Sequence, residues 1–306
     1  MTNIVVFLKA GVKDNVTTLL LSLSVSDITF LMLITPQVCS IIIAFFAPNW
    51  PWPFHIGFLN EMLYWPAYTF YEFSSYISVW LGVTRCACVA MPLKFKSVFT
   101  KTRTVKAVII IFIVSVSLRV PVMSMFRTAW KRDPKTNVSS VYFVKQNSEL
   151  ITHFNDALNR GSLPMINFII MITCVCVIKT KLYQASLVRN SQIATSAADS
   201  KQEMEGQDNQ GRSSKDLRVI QSVVLICCIF IVSQLPFLAY SLGRLIEPEF
   251  DITGSLRFLF HAFSAVSRLC SYLNASVNIF VYYNYNSKYI STLLLMLRGM
   301  NVTKIA

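Results

Sequence analysis

The chain has 306 residues, of which 54% are hydrophobic and only 14% charged, with a formal net charge of +13 and a mean hydropathy of +0.52. A soluble chain of this length cannot bury that much apolar surface, so the bilayer must serve as its solvent. The positive residues lie in short connections between apolar runs rather than on one face, which argues against nucleic-acid binding and matches the lysine and arginine bias of cytoplasmic loops.

In chain order, residues 1–8 form a short apolar stretch reaching only about 12 Å at the helical rise, expected as the inner end of a first helix that is largely missing. Lys9 and Lys13 flank the next connection. Six runs, at 17–46, 56–91, 104–126, 161–184, 217–245 and 256–284, are long enough to cross about 30 Å of hydrocarbon. The connection Ala47–Pro53 carries no charge and holds Trp50 and Trp52. The loop after the second run carries Lys94, Lys96, Lys101, Arg103 and Lys106 without an acidic residue. The positive-inside rule therefore places the lysine-rich loops and the C-terminus in the cytoplasm.

Residues Arg127 to Arg160 are expected as a longer outward loop, with a glycosylation sequon at Asn137. Arg189 to Ser214 is polar, without an apolar face, and expected as a flexible cytoplasmic loop. At 286–297, Tyr289, Leu293 and Leu297 recur every fourth residue, as in a short amphipathic helix on the membrane surface. All eight cysteines fall within apolar runs, where small packing residues are the expected role. The resulting fold class is an all-α membrane protein: a seven-transmembrane-helix bundle with helix 1 largely missing and a short C-terminal surface helix, in one domain.

The scarce polar residues inside these runs carry the functional signal. A carboxylate at mid-membrane costs roughly 2.5–3.5 kcal/mol on insertion scales, so Asp27 must face inward. Asn274 and Asn278 share one helical face, with Tyr282 one turn further on. Ser74 offers another oxygen from the second run. This oxygen-only set suits a hard cation such as sodium at Asp27, or an ion-free hydrogen-bonded network; both readings stand. Arg85, in Thr84-Arg85-Cys86, either snorkels to headgroups or pairs with Asp216 across two inner helix ends. Pro121, Pro164 and Pro236 should each kink their helices.

Taken together, these motifs resemble the rhodopsin-like (class A) G-protein-coupled receptors. Leu-Ser-Val-Ser-Asp27 is similar to the second-helix signature, and Thr84-Arg85-Cys86 with Pro92 to the Asp-Arg-Tyr box. Pro164 is similar to the fifth-helix proline, Pro236 with Phe230 to the sixth-helix switch, and Asn278-Ile-Phe-Val-Tyr282 to the Asn-Pro-x-x-Tyr motif. The run Lys9 to Asp14 looks like that of invertebrate orphan, peptide or chemosensory receptors. The resemblance implies a sodium and water pocket at Asp27, Ser74, Asn274 and Asn278. It also implies an extracellular ligand, a heterotrimeric G protein meeting Arg85, and an inward swing of Tyr282 in a plasma-membrane receptor surrounded by lipid. The chain departs from the pattern at Asn60, where the third-helix cysteine is expected, at Thr84 for the acidic neighbour of the arginine, at Gln234 for the switch tryptophan and at Ile279 for the proline.

Ala67 stands where amine receptors carry an aspartate, and the last full helix has no lysine for retinal. Glu72, Arg119 and Arg268, with Tyr64, Trp65, Tyr68, Tyr71 and Gln234 nearby, suggest a charged aromatic cavity for a peptide end or an acidic small molecule. The competing reading pairs Glu72 with Arg119 internally. The alternatives are a non-signalling truncated receptor product and a small secondary transporter, which would show internal repeats not visible here. A membrane enzyme is disfavoured because His55, His153 and His261 are scattered, and no cofactor motif appears.

Overall fold

The computed structural model describes residues 2–12, 14–47, 56–132, 139–146, 148–196, 206–247, 249–251, 254–285 and 287–297; side chains across 185–196 and 206–223 are outside that description. Helix α1 (Thr2–Ala10) stops at Gly11, whose φ of 78° lies in the left-handed region that glycine enters without a Cβ clash. Asp14 then caps α2 (Asn15–Phe46), its carboxylate accepting Thr17 N–H at 3.3 Å and the Thr17 hydroxyl at 2.6 Å. Next come α3 (Ile56–Ala90), the short α4 (Pro92–Val98) with proline at its start, and α5 (Lys101–Met123), capped by Thr100.

The segment after α5, expected to face outward, holds more structure than its charges suggested. It forms an antiparallel hairpin of β1 (Phe126–Arg132) and β2 (Ser139–Lys145), with Phe126 opposite Lys145. Helix α6 (Glu149–Asn155) then runs through a π-helical turn at Asp156–Ser162 straight into α7 (Leu163–Ser196). The membrane helix expected from residue 161 therefore starts a dozen residues earlier. Helices α8 (Gly206–Ile246), α9 (Arg257–Tyr285) and α10 (Ser287–Leu297) complete the chain. The polar stretch expected as a loop is helical at both of its ends, up to Ser196 and from Gly206. Before α9, the Glu249 carboxylate accepts Ser255 N–H at 2.9 Å, and that bond holds the carboxyl below its usual range.

Among the described residues, five helices are long and apolar enough to cross a membrane: those spanning Asn15–Phe46, Gly57–Ala90, Lys101–Met123, Glu149–Gln184 and Val224–Ile246. Helix α9 is long enough at 29 residues, but Arg268, Asn274, Asn278 and its serines lower its hydropathy. Helix α3 is the axle. In its apolar window 56% of the residues are buried inside the protein, against 17% for the windows in α2, α5 and the α6–α7 rod, which face outward.

One apolar cluster fills the inner half of the bundle, joining Phe7 of α1, Leu19 and Leu23 of α2, Ile77 and Leu81 of α3, Met171 of α7, Phe230 of α8 and Tyr282 of α9. Without a Cβ, Gly82 lets α3 approach α7 and α8 closely; an added Cβ would meet Met171 Sδ at 3.1 Å and Cys227 Sγ at 3.4 Å. A smaller cluster of Phe30, Ile34, Ala67, Tyr71 and Ala275 lies further out between α2, α3 and α9. All eight cysteines are free. The hairpin is held to α3 by aromatic rings instead, with Phe143 stacked on Phe58 at 4.6 Å and Phe126 lying 5.9 Å from Trp65.

Candidate functional site

Asp27 is buried in α2 and receives one hydrogen bond on each carboxylate oxygen. Ser74 Oγ of α3 donates to Oδ1 at 2.5 Å, and Asn278 Nδ2 of α9 donates to Oδ2 at 2.6 Å. Three helices thus meet at one side chain. Asn274 is buried one turn before Asn278 but is not among the groups bonded to Asp27. Beside this junction, Ser24 Oγ and Tyr282 Oη are buried with no hydrogen-bond partner among the described residues. The Tyr282 ring is wedged between Phe7 at 5.2 Å and Tyr289 at 5.9 Å, and Tyr289 Oη donates to Asn3 Oδ1 at 2.6 Å.

The oxygen donors around Asp27 and the two orphaned hydroxyls fit a hard cation or a water. A soft-metal site has no counterpart, since no cluster of three His, Cys, Asp or Glu residues occurs among the described residues.

Outward from Asp27, aromatic side chains of α3 wall a cavity of about 70 Å³. Tyr64, Trp65, Tyr68 and Tyr71, roughly one helical turn apart, line one side. Phe230, Gln234 and Phe237 of α8 close the other side. At the floor, Gln234 Nε2 donates to the Tyr71 hydroxyl at 2.7 Å. Pro236 lies within α8 two residues after Gln234, and its missing N–H leaves the Val232 carbonyl without its helical donor.

Of the charges predicted for this cavity, Glu72 and Arg119 are present but bound to each other. Arg119 Nε donates to Glu72 Oε2 at 2.8 Å, Nη2 closes on Oε1, and Nη1 reaches Asn155 Oδ1 at 3.4 Å. The pair is nearly dry, with side-chain exposures of 7% and 14%, so each ion neutralises the other's burial. Arg268, also expected there, is exposed on α9 and is not among the residues lining the cavity, although its charge reaches Tyr68 and Tyr272. Ser267, Ser271, Asn274 and Asn278 turn one face of α9 inward, and a residue one place further on points about 100° away.

Three polar residues of the cavity region went unrecognised in the sequence. Asn159 and Arg160 of the π turn line it, and Asn159 Nδ2 donates to the Leu118 carbonyl at 3.1 Å and to Asn155 Oδ1 at 3.1 Å. The apolar spacing of Leu150, Phe154 and Leu158 was the available sign that this stretch is helix and not loop.

At the inner end of α3, Arg85 is partly buried. Thr84 is buried, and its hydroxyl donates to the Leu81 carbonyl at 2.8 Å, within its own helix rather than to Arg85. Asp216 falls in α8, but its side chain, and with it the expected pairing to Arg85, lies outside the described residues. Asn137 also lies outside them.

The family model described as 7 transmembrane receptor (rhodopsin family) matches residues 2–282, which is most of the chain. No curated protein matches the chain.

Proposed function

The chain belongs to the rhodopsin family of seven-transmembrane receptors, a family of multi-pass membrane signalling proteins, and on that premise we propose that it converts binding of an extracellular ligand into activation of a heterotrimeric G protein at the plasma membrane. One observation carries this reading: a string of buried polar side chains, some hydrogen-bonded and some one helical turn apart, runs from the aromatic cavity past Asp27 to Tyr282. Gln234 bonds Tyr71, Ser74 follows one turn along α3, Ser74 and Asn278 both bond Asp27, and Tyr282 follows one turn along α9. A guest that disturbs the Gln234–Tyr71 contact acts on a group tied to α2, α3, α8 and α9 together. Coupling needs such a shared element with two arrangements.

The C-terminus and the lysine-rich loops face the cytoplasm in this reading, and Arg85 meets the G protein when the inner end of α8 moves outward. The pairing of Arg85 with Asp216 expected from the sequence would restrain that movement. A sodium ion held by Asp27, Ser74 and Ser24 would stabilise the resting arrangement by neutralising the carboxylate. The ligand is a peptide end or an acidic small molecule and not an amine. Ala67 is fully buried and provides no anion, Glu72 is spent on Arg119, and Arg160 leaves the aromatic cavity's lining charges with one cation in excess. A cavity of about 70 Å³ admits only a small group or the end of a larger ligand.

The test is nucleotide exchange on purified heterotrimers of each class by the full chain in lipid nanodiscs. Exchange above that of empty discs, lost in a folded Arg85→Ala variant, is the expected result. A folded receptor that activates none of the heterotrimers, with or without candidate acidic ligands, would overturn the proposal.

A further inference from the structure

Arg160 is shared between two cavities. The π turn places it on the wall of the aromatic cavity and also on the wall of a second cavity of about 120 Å³ beside the outer end of α8. Asp156, Tyr240, Ser241 and Arg244 also line this second space. Inside it one carboxylate bridges two guanidiniums. Asp156 Oδ1 lies 3.2 Å from Arg160 Nη1, and Oδ2 lies 3.8 Å from Arg244 Nη1. The same Arg244 reaches Asp251 with Nη2 at 3.2 Å, and its guanidinium sits 5.8 Å over the Phe260 ring. Ser241 Oγ is buried there without a hydrogen-bond partner among the described residues.

This arrangement is a carboxylate receptor filled by an imperfect tenant. Two planar guanidiniums converge as in bidentate carboxylate recognition. Asp156 has a short side chain anchored on the π turn, and its contact to Arg244 stays too long for a hydrogen bond. A free carboxylate carries no such tether and can approach both arginines at hydrogen-bond distance, with Ser241 as a further donor. Asp156 can yield its place, because one third of its side chain is already exposed. The cavity on the other side of Arg160 is aromatic, and the Arg160 side chain is the wall the two spaces share.

We infer that the ligand is a small organic acid: its carboxylate replaces Asp156 between Arg160 and Arg244, and its apolar body lies toward Tyr64 and Tyr68. The inference rests on the receptor reading above and specifies the ligand's chemical class. Exchange of one carboxylate for another changes the tie between the π turn and α8, the two elements that Asp156 and Arg244 join.

The test uses the full chain in nanodiscs, with phenylacetate as probe and phenylacetamide as its neutral counterpart, at fixed pH and ionic strength. The thermal midpoint should rise saturably with phenylacetate and stay unchanged with the amide. Asp156→Asn, which removes the carboxylate between the two arginines and leaves Asp251 on the far side of Arg244, should lower the half-saturating concentration. Arg160→Gln and Arg244→Gln should each raise it by roughly tenfold or more, the scale of one lost charge-assisted hydrogen bond. Arg160→Lys keeps the charge without the fork and should weaken binding less; if Arg160→Gln fails to fold, this variant with Arg244→Gln decides. Equal effects of acid and amide, weaker binding in Asp156→Asn, or no change in the arginine variants would each overturn the site. Nucleotide exchange is followed in the same discs. Exchange with no response to the acid sinks only the carboxylate site, whereas saturable acid binding without exchange sinks the signalling reading and leaves the site standing.

Discussion

Gln234 of α8 donates its side-chain amide to the Tyr71 hydroxyl of α3 across 2.7 Å at the floor of the aromatic cavity. Both residues are more than 90% buried, so neither group finds water if its partner is removed. Tyr71→Phe should therefore cost about 1–3 kcal/mol, because it strands the Gln234 amide, and Gln234→Leu should cost a similar amount. The double variant should cost less than the sum, since an apolar pair leaves nothing unsatisfied. Thermal unfolding in nanodiscs measures all three, and basal nucleotide exchange should rise in each single variant as the α3–α8 tie is lost. Strictly additive costs would mean that the bond couples nothing.

Asp27, Ser74 and Asn278 were legible in the sequence because a polar side chain in oil needs a partner, and helical spacing says which faces can supply one. The helical bundle was legible for the same reason, from the length of its apolar runs. Arg160 was not, because the charges between Arg127 and Arg160 read as an exterior loop and hid a helix spaced by Leu150, Phe154 and Leu158. A π turn has no sequence signature strong enough to reveal that Asn159 and Arg160 both reach the cavity. Arg268 lies one residue of rotation away from the buried face of α9, so helical spacing alone did not reveal that its side chain is exposed.

Glu72 and Arg119 form the driest ion pair among the described residues. Glu72→Gln leaves a guanidinium without its counter-charge inside the bundle and should cost about 3–5 kcal/mol. Glu72→Gln with Arg119→Met removes the charge from both sides and should recover most of that loss. Surface expression and thermal midpoint of the three variants give the comparison. A double variant no more stable than Glu72→Gln alone would show that Arg119 contributes through its contacts with Asn155 and Trp65 instead.

The hairpin is fastened by Phe58 and Phe143, whose rings stack at 4.6 Å and 17°. An aromatic pair of this kind contributes about 0.5–1.5 kcal/mol beyond its buried area. Phe143→Ala should therefore raise hydrogen exchange across Phe126–Arg132 and Ser139–Lys145 several-fold while leaving the α3 core protected. Uniformly faster exchange throughout the bundle would mean that the stack supports global stability and not the hairpin alone.

Sodium dependence separates the two readings of Asp27. Ser74 and Asn278 already donate to its two oxygens, so a cation must gain more from the carboxylate, Ser24 and Ser74 than it disturbs. The expected result is a higher thermal midpoint in sodium chloride than in choline chloride at equal ionic strength. Asp27→Asn should abolish that difference by removing the charge. It should also lower stability in both salts by about 1–3 kcal/mol, since an amide has one acceptor oxygen for two donors. The two effects separate because the first is a difference between salts within one variant and the second a difference between variants in one salt. Ser24→Ala should reduce the sodium effect while costing little in choline, because its hydroxyl makes no well-aligned hydrogen bond among the described residues and faces only the Tyr282 hydroxyl. Equal midpoints in the two salts for the unsubstituted chain would leave Asp27 as the centre of an ion-free network.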